Sequence, residues 1–224
     1  MLQLNYPMLV INTKTYSKSD LKHSVKIAKI SEQLAKSQKK TIILCLQATE
    51  LKEVNENSRL PLFAQHIDPI TPGAHTGYVL AESVAESGAI GTLLNHSEHQ
   101  IDMKTLKASI ARAREANLLV LACATTPKKA AQIAKLEPDM IAIEPPELIG
   151  GDISVATARP EIITNTIKAV TKVANIPVLC GAGVKTREDV EIALKLGAKG
   201  VLVASGIVKA NNVKKEIKEL LDGM

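Results

Sequence analysis

The chain has 224 residues and a hydrophobic content of 46%, which allows a sizeable core and excludes an intrinsically disordered protein. The formal net charge of +5 is spread over helical segments without a basic stripe, so nothing indicates nucleic-acid binding. Met1–Val10 lacks the basic start of a signal peptide, and no apolar run reaches the roughly 18 residues of a membrane helix. We therefore expect a cytoplasmic protein with no nucleic-acid or membrane partner.

The aromatic residues are few, namely Phe63 and three tyrosines, so Ile, Val, Leu and Ala must build the core. Such a composition suits parallel strands that are buried on both faces. Three cysteines, Cys45, Cys123 and Cys180, lie far apart within apolar runs. Their odd number and wide spacing argue against a disulfide framework and a zinc site. The sequence therefore predicts buried thiols and no metal site.

Short apolar runs alternate with amphipathic segments along the whole chain. The predicted strands are Met8–Ile11, Thr41–Leu46, Leu62–Gln65, Gly91–Leu94, Leu118–Cys123, Met140–Ile143, Val178–Cys180 and Gly200–Val203. The predicted helices are Asp20–Ser37, Met103–Ala116, Pro127–Leu136, Pro160–Val173, Arg187–Leu196 and Asn211–Leu221. Because Gln47–Leu60 is short and polar, we expect only a stunted helix there.

Eight strands with intervening helices predict an α/β protein in which residues 1–224 form a single (β/α)8 TIM barrel domain. An open, doubly wound sheet would accommodate the same alternation almost as well. No low-complexity linker or shift in composition divides the chain, and this favours one domain.

Polar residues follow several of the predicted strands, where the working side chains of such barrels project. Lys14 directly follows the first strand, where a fixed positive charge could serve an anionic substrate, although a surface lysine is the ordinary alternative. Glu144 abuts a buried strand and predicts either a general base or an ion pair. His96, taken alone, is more typical of a core or capping histidine than of a catalytic residue.

Small residues follow the last two strands, in Gly181-Ala182-Gly183 and Ala204-Ser205-Gly206. Such turns allow phosphate oxygens to approach backbone N–H groups, and two at consecutive barrel positions favour a phosphate site over mere tight turns. The connection Pro145–Ala158 is long and contains Gly150-Gly151. Long loops in compact domains are usually functional, so we interpret this segment as a lid rather than a plain surface loop.

Taken together, these motifs resemble the triosephosphate isomerase family, and specifically its short archaeal form. The resemblance spans the whole chain and is carried, in order, by Asn12-x-Lys14, Asn95-His96-Ser97-Glu98, Glu144-Pro145 with Leu148-Ile149-Gly150, and the two small turns. It implies cofactor-free interconversion of dihydroxyacetone phosphate and D-glyceraldehyde 3-phosphate through an enediolate, in glycolysis and gluconeogenesis.

The resemblance also implies catalytic roles. Glu144 would move the proton between the two carbons, while Lys14 would stabilise the anionic substrate and pair with Glu98. His96 would act as a neutral electrophile, because backbone N–H groups at a helix start around residues 97 and 98 disfavour its charged form.

Further roles in binding follow from the same resemblance. The implied substrate-binding residues are Asn12, Thr13, Lys14, Ile149, Gly150, Gly183, Ala204 and Ser205. Gly183 stands where longer family members usually carry a serine, so only its backbone remains for the phosphate. Loop Pro72–Tyr78 would enter a neighbouring subunit, where Thr76 supports the site, and this implies a homo-oligomer, either a dimer or a tetramer. On a monomer, the loop would expose Tyr78 and leave tip amides without partners.

Two other functions are compatible with parts of the sequence. His66-Ile67-Asp68 at a strand end is typical of a metal-dependent sugar-phosphate epimerase, but matching ligands are missing and Lys14 would bring a positive charge to the metal. A non-catalytic barrel that binds a phosphorylated ligand would not need Asn12, Lys14, His96 and Glu144 together.

Overall fold

The structure is a computed structural model that describes residues 4–17, 21–145 and 154–224, apart from the side chain of Leu21. Eight parallel strands close into a barrel in chain order, and β8 pairs with β1. The strands are β1 Met8–Asn12, β2 Thr41–Leu46, β3 Leu62–Ala64, β4 Gly91–Leu94, β5 Leu119–Ala124, β6 Met140–Ile143, β7 Val178–Cys180 and β8 Gly200–Val203. Closure confirms the barrel and excludes the open sheet.

Helices lie between the strands and pack around the barrel. They are α1 Leu21–Gln38, α2 Leu51–Asn57, α3 Ala81–Glu86, α4 Met103–Glu115, α5 Pro127–Ala134, α6 Val155–Ala158, α7 Pro160–Thr171, α8 Arg187–Lys195, α9 Ser205–Val208 and α10 Val213–Asp222. The stunted second helix is confirmed, since α2 has seven residues and follows a 3-10 turn at Ala48–Glu50. Helices α3, α6 and α9 were not predicted, because four to six residues are too few to show a helical period.

The alternation of side chains along each strand divides the core into two layers. Met8 and Val10 belong to the cluster that fills the barrel, whereas Leu9 and Ile11 belong to the larger cluster that includes the helices. Phe63, the single phenylalanine, lies fully buried inside the barrel. It fits there because Gly91 has no side chain: a Cβ at this position would lie 2.5 Å from the Phe63 ring.

Helix caps fix the loops at the C-terminal end of the barrel. The Asp102 carboxylate accepts hydrogen bonds from the backbone N–H groups of Lys104 and Thr105, at 2.8 and 2.9 Å, and so begins α4. Thr186 and Asp189 form a reciprocal capping box at the start of α8. The first cap follows the turn that carries His96 and the second follows the small-residue turn after β7, so both caps hold these turns against the barrel.

In the part of the chain that the structure describes, no helix has both the length and the apolar character that a bilayer crossing requires.

Candidate active site

One cavity at the C-terminal end of the barrel collects most of the residues predicted for the site. Those that line it are Asn12, Lys14, His96, Glu144, Gly183, Ala204 and Ser205. They come from the ends of β1, β4, β6, β7 and β8, strands that lie far apart in the chain but meet because the barrel closes. Ile149 and Gly150 lie outside the described residues, so their predicted contacts stay predictions.

Glu144 follows β6 directly and is 5% exposed. Its backbone N–H donates to the Ala124 carbonyl at 2.8 Å, which continues the pairing between β5 and β6 beyond the strand end. The absence of a side chain at Gly181 makes room for the carboxylate, because a Cβ there would lie 2.5 Å from the Glu144 Cγ. Oε2 of Glu144 has no hydrogen-bond partner among the described residues and lies 3.6 Å from His96 Nε2. A buried carboxylate oxygen without a partner is available to a ligand.

His96 presents a defined face to Glu144. Its Nδ1 accepts a hydrogen bond from the backbone N–H of Glu98 at 3.2 Å, so this nitrogen carries no proton in that arrangement. The single proton of the neutral ring then lies on Nε2, which points toward Glu144 and can donate to a substrate oxygen. The donor is one of the backbone groups expected, but it does not lie at a helix start: Glu98 lies in a turn closed by His99 N–H on the His96 carbonyl, and α4 begins only after Asp102.

Asn95 orients the strand end that carries His96. Its backbone φ of 57° turns the chain sharply after β4. The side chain bridges two parts of the barrel, since Nδ2 donates to the Cys123 carbonyl at 2.8 Å and Oδ1 accepts from the Ile101 N–H at 3.1 Å. These bonds hold the turn between β4 and α4 against β5.

Lys14 is held by a network around its backbone, which has a φ of 52°. Its N–H donates to Asn12 Oδ1 at 3.0 Å, and its carbonyl accepts from Gln65 Nε2 at 3.1 Å. The ammonium forms an ion pair with Glu98 Oε1 at 2.6 Å, and the lysine side chain is only 11% exposed. The structure therefore brings Lys14 and Glu98 into contact, as the resemblance implied.

Thr13 and Gln65 extend the hydrogen-bond network around the Lys14 backbone toward β2. Thr13 is fully buried, and its hydroxyl donates to the Cys45 carbonyl at 3.0 Å and accepts from Gln65 Nε2 at 3.2 Å. Thr13 does not line the cavity with Lys14, so its position differs from that of a substrate-binding residue. Sequence reasoning missed Gln65 as a site residue, although its amide follows β3 and could have been recognised there.

The phosphate side of the cavity consists of the turns after β7 and β8. Ala182 and Gly183 both have positive φ values, 70° and 73°, and these bring their backbone close to the cavity. Tyr16 lines the same wall, and the Lys209 ammonium lies 4.2 Å from the centroid of its ring. This cation–π contact connects the segment after β1 to the region after β8.

The three cysteines are free and buried, which confirms the prediction of strand thiols. Burial raises the pKa of the Cys123 thiol well above its ordinary value, and the neighbouring Glu144 carboxylate raises it further. Burial, followed by the charge of Glu144, also raises the pKa of Cys45. Thiolates are therefore strongly disfavoured beside Glu144, and these side chains act as apolar neighbours.

The segment His66-Ile67-Asp68 organises a loop. His66 Nε2 lies 3.4 Å from Asp68 Oδ1, and its ring stacks on that of His99 with centroids 4.3 Å apart. Burial lowers the pKa of His66, and His99 lowers it further. Asp68 Oδ2 accepts from the Val79 N–H at 2.7 Å. Within the described ranges, no three His, Cys, Asp or Glu side chains are grouped as a metal ion would require.

The loop that contains Thr76 projects from the subunit. All residues of the range 71–78 are exposed, and Tyr78 is 58% exposed. The base of the loop is fixed, because the Arg112 Nε donates to the Ile70 carbonyl at 2.8 Å. The expectation that the tip amides lack partners is wrong in part: the N–H groups of His75 and Tyr78 donate to carbonyls within the loop. The tip therefore keeps its own shape while it projects.

Comparison with known proteins agrees with this geometry. The sequence profile described as triosephosphate isomerase matches residues 7–220. The chain is 44% identical to triosephosphate isomerase of Methanocaldococcus jannaschii, over 96% of this chain and 98% of that protein. It is 41% identical to triosephosphate isomerase of Methanothermus fervidus, over 99% of this chain and 100% of that protein.

A solved structure shows the same fold. Triosephosphate isomerase from Bartonella henselae superposes with a TM-score of 0.75 at 19% identity, over 96% of this chain and 99% of that one. The matches to the archaeal proteins extend over nearly the whole sequence and include the strand ends that form the cavity. The chain therefore belongs to the triosephosphate isomerase family.

Proposed function

We propose that this chain interconverts dihydroxyacetone phosphate and D-glyceraldehyde 3-phosphate without a cofactor. One observation carries the proposal: the buried Glu144 carboxylate has an oxygen without a partner among the described residues, 3.6 Å from His96 Nε2, in a cavity that Lys14 also lines. A base, a hydrogen-bond donor and a cation then surround the same small space. Abstraction of a proton next to a carbonyl needs these three groups.

The reaction would move one proton from C1 to C2 and a second proton from the C1 oxygen to the C2 oxygen. Glu144 removes a proton from C1 of dihydroxyacetone phosphate while His96 Nε2–H donates a hydrogen bond to the C2 carbonyl oxygen. The electron pair of the broken C–H bond forms the C1–C2 double bond of an enediolate, whose negative charge Lys14 stabilises. Glu144 then delivers a proton to C2. The C1 hydroxyl gives up its proton as it becomes the aldehyde, and the C2 oxygen takes up one proton, through His96, to become the hydroxyl of the product. Because one carboxylate serves both carbons, no redox cofactor takes part.

The substrate phosphate would lie against the turns after β7 and β8. Gly183, Ala204 and Ser205 belong to these two turns and line the cavity. Their backbone N–H groups are suited to phosphate oxygens. Closure by the segment that contains Ile149 and Gly150 would exclude water from the enediolate, and this role rests on the family resemblance.

We infer that the protein is a homo-oligomer in which the loop of residues 72–78 enters a neighbouring subunit. A second cavity supports this inference, because it is lined by Asn12, Lys14 and Glu98 together with His66 and His99. Thr76 of the partner subunit would reach Asn12 and Glu98 there. The contact would connect assembly to the position of Lys14. We further infer that the enzyme works in the cytoplasm, in glycolysis and gluconeogenesis.

Purified protein would test the activity directly. We expect it to convert D-glyceraldehyde 3-phosphate to dihydroxyacetone phosphate, measured by coupling the product to NADH oxidation. The rate should not change after dialysis against EDTA, since no step uses a metal. Activity that disappears with EDTA and appears instead on pentose phosphates would favour the metal-dependent epimerase. Phosphate binding without turnover would favour the non-catalytic barrel.

A further inference from the structure

A second lysine lines the cavity at its phosphate end. Lys185 follows the turn after β7, and its side chain lies on the same cavity wall as Gly183, Ser205 and Gly206. In the sequence it precedes an amphipathic helix, where a solvated lysine is ordinary, so the motifs did not single it out.

The backbone of Lys185 is anchored by Asp189. The N–H groups of Lys185 and Thr186 each donate to Asp189 Oδ2 at 3.0 Å, and the Thr157 hydroxyl donates to Oδ1 at 3.0 Å. Asp189 itself is 8% exposed, so this junction is well packed. The backbone position from which the Lys185 side chain extends is therefore fixed.

The direction of the side chain follows from its contact with Gly206. The Lys185 Cγ lies 3.6 Å from the position that a Cβ of Gly206 would occupy. The lysine stem thus passes from the turn after β7 to the turn after β8. These are the two turns that hold the phosphate in the proposed function, so the lysine stem passes beside the proposed phosphate site.

A cation at this end of the cavity would complement the charge of a phosphate. Among the described lining residues, Lys14, Lys185 and Glu144 carry the fixed charges. Lys14 forms an ion pair with Glu98, and Glu144 has the same sign as a phosphate dianion. Gly183 contributes only its backbone. An ammonium group beside these turns offsets the charge of the phosphate.

We propose that Lys185 is a substrate-binding residue that determines specificity for the phosphorylated substrate by complementing its dianion. The inference rests on the proposed function and adds to it a residue outside the predicted site. The phosphate does not react, so its binding energy serves to hold the reacting carbons at Glu144 and His96. The effect of Lys185 should therefore depend on the presence of the phosphate group.

The test compares Lys185→Met with Lys195→Met, which removes the same charge from an exposed position at the end of α8. We expect Lys185→Met to lower kcat/KM for D-glyceraldehyde 3-phosphate by roughly 10- to 100-fold, as for loss of a charged hydrogen bond. Inhibition by inorganic phosphate should weaken by a similar factor. The kcat/KM for unphosphorylated D-glyceraldehyde should fall much less, and Lys185→Arg should recover most of the loss.

Two results would overturn the inference. Equal losses with both substrates would mean that Lys185 supports the fold of the site rather than the phosphate, and unchanged phosphate inhibition would remove it from binding. Failure of the proposed function would look different, since the unmodified protein itself would not isomerise the triose phosphate. Calorimetry with inorganic phosphate would still compare the unmodified protein with Lys185→Met in that case, and equal affinities would contradict the role of Lys185.

Discussion

Lys14 has a backbone conformation that residues with a Cβ adopt at a cost of roughly 1–2 kcal/mol. Its φ of 52° persists because Asn12 Oδ1 binds its N–H and Gln65 Nε2 binds its carbonyl. The conformation directs the ammonium into the cavity and against Glu98 instead of into solvent. Asn12, Gln65 and Glu98 therefore determine where the positive charge of Lys14 lies.

Lys14→Met should reduce catalysis in both of its kinetic parameters. The positive charge complements the bound substrate as well as the enediolate, so KM should rise and kcat should fall, with kcat/KM lower by on the order of 100-fold or more. Steady-state kinetics would measure this, with Lys107→Met on the exposed face of α4 as the matched control. If only the melting temperature changes, Lys14 is structural and its electrostatic role is wrong.

At the junction between β7 and α8, the Asp189 carboxylate binds the backbone N–H groups that precede the helix. Burial by itself raises the pKa of Asp189, but hydrogen bonds from Lys185, Thr186 and Thr157 outweigh it, and the pKa lies below its ordinary value. A lowered folded-state pKa means that the ionised carboxylate stabilises the folded protein. This contribution is complete above the unfolded-state pKa and is lost as the pH falls through the folded-state pKa.

Asp189→Asn should therefore destabilise the protein in a pH-dependent manner. We expect a loss of about 1–2 kcal/mol in the free energy of unfolding at neutral pH, because the amide lacks the charge that strengthens these bonds. The difference between variant and unmodified protein should shrink as the pH falls below about 4. Urea denaturation across this range would measure it, with the exposed Glu188→Gln in the same turn as control. A difference that is constant or grows toward low pH would contradict the assignment.

The barrel elements were predictable because their signals are local. Each predicted strand agrees with the structure to within one residue at either end, since an apolar run buried on both faces is marked in the sequence. Helices α6 and α9 are four residues long, and their existence depends on packing against the barrel. The segment read as loop up to Ala158 therefore ends in a helix, in which Val155 and Ala156 are buried.

The candidate site was predictable in part for a different reason. Glu144, His96 and Lys14 follow strands and carry unusual chemistry for those positions, so barrel geometry alone brings them together. In the sequence, Gln65 and Lys185 resemble other polar residues. Only the folded barrel shows that Gln65 contacts Lys14 and that Lys185 lines the cavity. The resemblance implied a helix start beside His96, but the donor lies in a turn, and the helix predicted at Met103–Ala116 begins only after its Asp102 cap.

At the scale of the molecule, the exposed loop of residues 71–78 projects from the described part of the barrel. Asp68 and Arg112 fix its base, through the Val79 N–H and the Ile70 carbonyl, while residues 71–78 remain exposed. A structured tip with an exposed tyrosine is suited to docking against another surface. In the proposed homo-oligomer, the cavity beside Lys14 and Glu98 of a second copy would be that surface.

Thr76→Arg should separate the subunits and lower activity, although it deletes no chemical group. The guanidinium would enter a packed contact near Lys14, at a cost on the order of several kcal/mol if it stays unpaired. Sedimentation velocity should show a monomer, and the isomerase assay should show most activity lost. Thr76→Ser keeps a hydroxyl and should retain both properties. A fully active monomer would break the coupling, and an unchanged oligomer would show that another surface holds the subunits together.

The central claim is that Glu144 carries a proton between the two carbons of a phosphorylated triose. NMR of dihydroxyacetone phosphate in D2O measures this directly, because a base that exchanges with solvent places deuterium at C2 of the product. We expect deuterium in the product with the unmodified protein and with Glu86→Gln, an exposed carboxylate on α3. Glu144→Gln should slow deuterium incorporation on the order of 100- to 10,000-fold or more while it retains phosphate binding. Incorporation by Glu144→Gln at a rate near that of the unmodified protein would contradict the account.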